Sequence, residues 1–161
     1  MAKPLSVTGA LVAGTLIVGT LDILDAFIFF GLRGARPIGI LQSIASGVLG
    51  RPAYQGGMTT ALLGLLLHFF IAFGVVATYL AATRLIPALN RRPVISGLLY
   101  GLAVYGVMNF VVVPLSNAAL GSGPTPIVVR VNGVLIHMLG VGLPAALVAA
   151  RTGRLVSGSE S

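Results

Sequence analysis

Residues 57–82, GMTTALLGLLLHFFIAFGVVATYLAA, contain no Lys, Arg, Asp or Glu. A stretch this long and this apolar exceeds the roughly 20 residues that a helix needs to cross a bilayer. Comparable stretches flank it, over about 5–32, 94–115 and 127–150, so most of the chain lies in four spans. Composition agrees: of 161 residues, 57% are hydrophobic and 8% charged, and the mean hydropathy is +1.04. An average soluble domain carries about 25% charged residues. Ten Lys/Arg and three Asp/Glu cannot cover a water-soluble surface of this size. The chain reads as an all-α membrane protein, a four-transmembrane-helix bundle in which residues 1–154 form one membrane domain and 155–161 a disordered tail.

Between the first two spans lies a segment too short to cross. Its apolar residues Ile40, Leu41, Ile44, Val48 and Leu49 recur at helical spacing, with Gln42, Ser43 and Ser46 between them. Pro37 opens it, and Gly50 and Pro52 close it. A short interfacial or re-entrant helix is expected over 37–50. Lys3 followed by apolar residues mimics a signal peptide, but no small-x-small cleavage site follows and the apolar run continues through Phe30, so this stretch is taken as the first span.

The absence of cysteine excludes disulfides, iron–sulfur clusters and thiolate chemistry. The net charge of +7 does not point to nucleic acid, because the basic residues stand singly or in pairs at the ends of apolar segments. They serve instead to orient the bundle. With the N terminus inside, Lys3, Arg84, Arg91, Arg92, Arg151 and Arg154 lie on the cytoplasmic side, against Arg33, Arg36, Arg51 and Arg130 outside. The excess places both termini in the cytoplasm. Nothing spells a phosphate-binding loop, a nucleophile elbow or a zinc-protease helix.

Small residues form a stripe on each span and lead to a polar one. Ala10, Gly14 and Val18 precede Asp22, and Gly57, Ala61 and Gly64 precede His68. Gly97 and Gly101 precede Tyr105, while Arg130, Gly133, His137, Gly140 and Pro144 share a face of the last span. Such stripes pack helices together. Polar residues inside a span call for more, since an ionisable side chain at the bilayer centre costs on the order of 2.5–3.5 kcal/mol or more unless paired or hydrated. Asp22, Asp25, His68, Asn109, Arg130 and His137 are the candidates. At about 1.5 Å per residue from the non-cytoplasmic end, Asp22 and Asp25 lie roughly 10–15 Å down, Asn109 about 10 Å, and His68 and His137 about 15–17 Å. Arg130 is shallower, at about 5 Å. One buried polar layer is expected, open toward the non-cytoplasmic side.

Asp22 and Asp25, spaced i, i+3, put two carboxylates on one side of the first helix. They suit a proton relay, a cation site or a counter-ion pair, or a structural role in which one carboxylate caps or hydrogen-bonds a neighbouring helix and the other pairs with Arg130 or an arginine of the first loop. His68 and His137 sit in matching contexts, Gly64-Leu-Leu-Leu-His68 and Gly133-Val-Leu-Ile-His137. Together they suit the two axial ligands of a haem, with each preceding glycine leaving room for the porphyrin. With Asp22 and Asp25 they suit a divalent metal instead, and packing by hydrogen bonds is the third role.

The segments LQSIASGVLG (41–50), LLLHFFIAFG (65–74), YGLAVYGVMNFVVVPLSN (100–117) and NGVLIHMLGVGLPAAL (132–147) resemble a group of small, uncharacterised bacterial inner-membrane proteins with four spans and a histidine in the second and fourth. The resemblance implies a bacterial inner membrane and supplies no activity. Three function classes stay open: proton or small-solute handling, a haem- or metal-binding membrane protein, and a structural or assembly subunit. Four spans are few for an alternating-access carrier acting alone, so a homo-oligomer or a subunit of a larger membrane complex is expected.

Overall fold

The computed structural model describes residues 5–118 and 124–152. Lys3, Arg154, and the tail 155–161 expected to be disordered lie outside them. The described residues are all helical. Four long apolar helices, α1 (Val7–Gly31), α3 (Gly57–Leu85), α5 (Pro93–Leu115) and α6 (Ile127–Ala149), are each long enough to cross a bilayer. The short apolar helix α2 (Pro37–Leu49) joins the first two, and a single turn, α4 (Ala88–Arg91), joins α3 to α5. By length and hydropathy the chain is a multi-pass membrane protein, with its apolar helix surfaces in contact with lipid.

Local chemistry sets the boundaries. Ser6 caps α1 by accepting the Gly9 N–H at 3.0 Å. Pro37 and Pro93 occupy the first turns of α2 and α5, where a missing N–H is harmless. Gly50 and Gly57 have φ of +65° and +57°, a left-handed backbone that glycine adopts without a Cβ clash. These two residues bracket the 3₁₀ turn Arg51–Gln55 and reverse the chain from α2 into α3.

Alternate spans run in opposite directions, so one end of the bundle carries α2 and the other carries α4. On the α4 side the helices close tightly on the small-residue stripes. Ala10, Val18, Val76, Tyr79, Ala145, Ala146 and Ala149 are all buried there. A Cβ on Gly14 would stand 2.8 Å from the Val76 side chain, and one on Gly97 2.8 Å from Ala146. At the α5–α6 crossing backbone meets backbone: a Cβ on Gly142 would collide with the Gly97 carbonyl, and one on Gly101 with the His137 carbonyl. Hydrogen bonds reinforce this end, from Tyr79 to Ser96 Oγ at 2.9 Å and from Tyr100 to the Val75 carbonyl at 2.7 Å.

Both α5 and α6 contain a π-helical segment, Met108–Val112 and His137–Gly142, that the apolar periodicity does not reveal. Each is followed after one residue by a proline, Pro114 and Pro144. Proline has no N–H and its ring collides with the carbonyl four residues back. The wider turn relieves this: the N–H of Val113 donates to Met108 and that of Leu143 to Met138, each five residues back. One extra residue in the turn rotates the helix face by about 100°.

Candidate functional site

Toward the α2 side the four spans separate around a cavity of about 380 Å³. It runs from Val18, Val75 and Val141, near the middle of α1, α3 and α6, to Phe30, Ile40, Val113 and Thr125 at the α2 end. Its inner end stops against the tight half. All six residues singled out from the sequence, Asp22, Asp25, His68, Asn109, Arg130 and His137, contribute to its lining. The walls between them are mainly aliphatic.

The deepest polar group is a pair. His68, buried on α3, places Nε2 2.8 Å from the Gly19 carbonyl of α1. A carbonyl only accepts, so Nε2 carries the hydrogen and Nδ1 is the free nitrogen of the neutral ring. That Nδ1 faces Asp22 Oδ2 at 4.0 Å, an ion pair when the imidazole is protonated. The Asp22 side chain keeps 29% of its surface exposed, against 11% for His68, so the carboxylate opens to the cavity. It accepts no hydrogen bond from any described residue. His137, His68 and Asp25 are the ionisable groups within electrostatic reach of it.

One turn away, Asp25 Oδ2 accepts a hydrogen bond from Asn132 Nδ2 at 2.7 Å. This joins α1 to the α2-side half of α6 across the cavity. Asn132 was not among the residues singled out from the sequence, although an amide inside a span is itself a signal, because lipid offers it no partner. His137, at the start of its π segment, bonds the Gly133 carbonyl through Nδ1 at 2.8 Å. Its ring meets Tyr105 edge-on, with centroids 5.5 Å apart; Tyr105 thus reaches the histidine layer by ring contact.

Asn109 and Arg130 reach the cavity from its rim, and both are exposed. Asn109 Nδ2 donates to the carbonyl of Tyr105, one turn earlier on its own helix, at 2.9 Å. Neither aspartate pairs with arginine: among the described residues no cation other than His68 comes within 4.0 Å of a carboxylate. Arg33 folds back over the Phe29 ring at 3.6 Å and donates to the Phe29 carbonyl. Of the structural alternative, the hydrogen bond of one carboxylate to a neighbouring helix is present, from Asn132 to Asp25, whereas the arginine partner is not, and Asp22 faces His68 instead.

The two Gly-x-x-x-His segments differ in their surroundings. A Cβ on Gly64 would collide with the Leu41 carbonyl, because α2 lies directly against α3 there; one on Gly133 would stand 2.8 Å from the Tyr105 ring. The room that the haem reading assigned to these glycines is occupied by α2 and by Tyr105. As to a shared metal, no three of the described His, Asp and Glu side chains gather as ligands. Comparison with protein-family models, curated proteins and solved structures finds no match, so the site rests on its geometry.

Proposed function

We propose that this protein handles protons and a small solute in a cavity open to one side of the membrane, with the Asp22–His68 pair as the proton-binding centre. The observation that carries the reading is the placement of that pair. A carboxylate with a free edge and an imidazole with a free nitrogen face each other at 4.0 Å at the inner end of a cavity of about 380 Å³, a size typical of ligand pockets. A purely structural role is poorly served by a carboxylate that accepts no hydrogen bond from the described residues. Asp25, held by Asn132, serves as a second acceptor nearer the entrance, while Asn109, Arg130 and His137 complete the polar lining.

The positive-charge excess supports an orientation with both termini in the cytoplasm and the cavity facing outward. The resemblance to small bacterial four-span proteins supports a bacterial inner membrane. The closed α4-side half supports a binding site over a continuous pore in this conformation, and passage across the membrane requires a second copy or a partner subunit to provide the moving interface.

The test is infrared difference spectroscopy of the lipid-embedded chain between neutral and acid pH. A carboxylic-acid band should appear, vanish in Asp22→Asn and shift in His68→Gln. A band unchanged in both variants overturns the reading.

A further inference from the structure

The donors and acceptors of the cavity point to the class of its solute. Four side chains that line it each commit an N–H to a neighbouring group. His68 Nε2 faces the Gly19 carbonyl, His137 Nδ1 the Gly133 carbonyl, Asn109 Nδ2 the Tyr105 carbonyl, and Asn132 Nδ2 the Asp25 carboxylate. Beside the Tyr105 hydroxyl and the second amide hydrogens of Asn109 and Asn132, what remains for a guest is mainly lone pairs: both oxygens of Asp22, the second oxygen of Asp25, Nδ1 of His68 and Nε2 of His137. When both carboxylates are ionised and the imidazoles neutral, the interior carries two negative charges. The one arginine of the lining, Arg130, sits exposed at the rim.

Around the two aspartates the acceptors and the negative charge predominate, so the guest matched best is one that brings hydrogen-bond donors and positive charge itself. A hydrogen-bonding cation meets both demands, and an anion or a pure acceptor meets neither. The walls add a second requirement. Val18, Ile71, Val104, Met108, Ile136 and Val141 line the space around these acceptors, so an ion with no apolar body would leave them facing water. A compact apolar group attached to the charge would fill them, at about 25 cal/mol per Å² of apolar surface removed from water.

We infer that the cavity binds a protonated amine with an apolar body, the ammonium N–H groups on Asp22 and Asp25 and the hydrocarbon against the aliphatic walls. This rests on the reading of the cavity as a solute site. It also gives the proton centre a consequence, since an ammonium on Asp22 and a proton on Asp22 compete for the same oxygens.

The probe is 1-adamantanamine, compared with 1-adamantanol and 1-adamantanecarboxylate, which share its rigid cage and differ in charge. Binding to the native chain in lipid nanodiscs is followed by calorimetry. The amine should bind saturably and at least tenfold more tightly than either analogue, and Asp22→Asn should weaken it at least tenfold. The analogue comparison uses the native chain alone, so a variant that fails to fold leaves the test intact. Alcohol or carboxylate binding equal to that of the amine overturns the inference, as does an amine affinity unchanged in both Asp22→Asn and Asp25→Asn. Loss of the inference while the Asp22-dependent infrared band persists leaves the proton-binding reading standing; loss of that band as well removes both.

Discussion

The α4-side and α2-side halves of the bundle are made from the same four spans, and they solve opposite problems. On the α4 side glycine and alanine bring helix backbones into contact at Gly97, Gly101 and Gly142, and the chain buries Tyr79 and Val76 completely. On the α2 side larger aliphatic residues and two aspartates hold the spans apart around open space. In a bilayer no hydrophobic force separates lipid-facing from protein-facing apolar surface, so helix association depends on close packing and hydrogen bonds. On the α2 side the small residues of α3 serve another contact, Gly64 packing against α2, and a polar layer occupies the gap left between the four spans. The tight half is a clamp that lets the other half stay open.

The comparison breaks most severely at the α5–α6 crossing. Gly142→Ala puts a methyl group onto the carbonyl of Gly97 and the backbone of Gly101. Neither can rotate away, so destabilisation at or above the roughly 1–3 kcal/mol of ordinary overpacking is expected. Thermal unfolding in detergent should show a large drop; an unchanged transition would mean that the clamp is not formed as described.

A smaller loss is expected at the side-chain bond that joins α6 to α1 in the open half. Asn132→Leu removes the donor to Asp25 and should destabilise by about 1.5–3 kcal/mol, the range for a hydrogen bond to a charged group. The change should also make a cysteine placed at Val129, which lines the cavity on the same stretch of α6, react faster with a water-soluble thiol reagent in the Asn132→Leu background than with Asn132 intact. The native chain contains no cysteine, which makes this measurement clean. Equal reactivity would show that Asn132 does not hold the α2-side half of α6 against α1.

The smallest effect has the opposite sign. Gly106 lies in the helical part of α5 with nothing within 4 Å of its missing Cβ. Gly106→Ala should therefore stabilise by about 0.5–1 kcal/mol through helix propensity alone. A destabilisation comparable to that of Gly142→Ala would reveal a neighbour packed on this face of α5, such as a second copy of the chain.

The spans expected at 5–32, 57–82, 94–115 and 127–150 differ from α1, α3, α5 and α6 by at most a few residues at either end, and α2 falls at Pro37–Leu49 where 37–50 was expected. Depth counting also gathered Asp22, His68 and His137, because rise per residue is nearly constant in any helix. The partners were not legible. Asn132 reaches Asp25 across 107 positions of sequence, and no periodicity within one helix reports which face of another it meets. The matching Gly64–His68 and Gly133–His137 segments suggested one shared role; Leu41 and Tyr105 give their glycines two different ones.

Apolar length and breaker residues determined by themselves that the chain is a multi-pass membrane protein, where its helices begin and end, and how far along its helix each polar residue lies. These are local properties, since a helix in lipid satisfies its own backbone hydrogen bonds whatever its neighbours. Only the tertiary structure decided which lone pairs face the cavity, that Asp22 meets His68 in place of an arginine, and that one half closes while the other opens. Those outcomes depend on the rotation and crossing of whole helices. Backbone contact at Gly97, Gly101 and Gly142, and the face shift introduced by the π segments before Pro114 and Pro144, set that rotation, and neither is visible in any single span read alone.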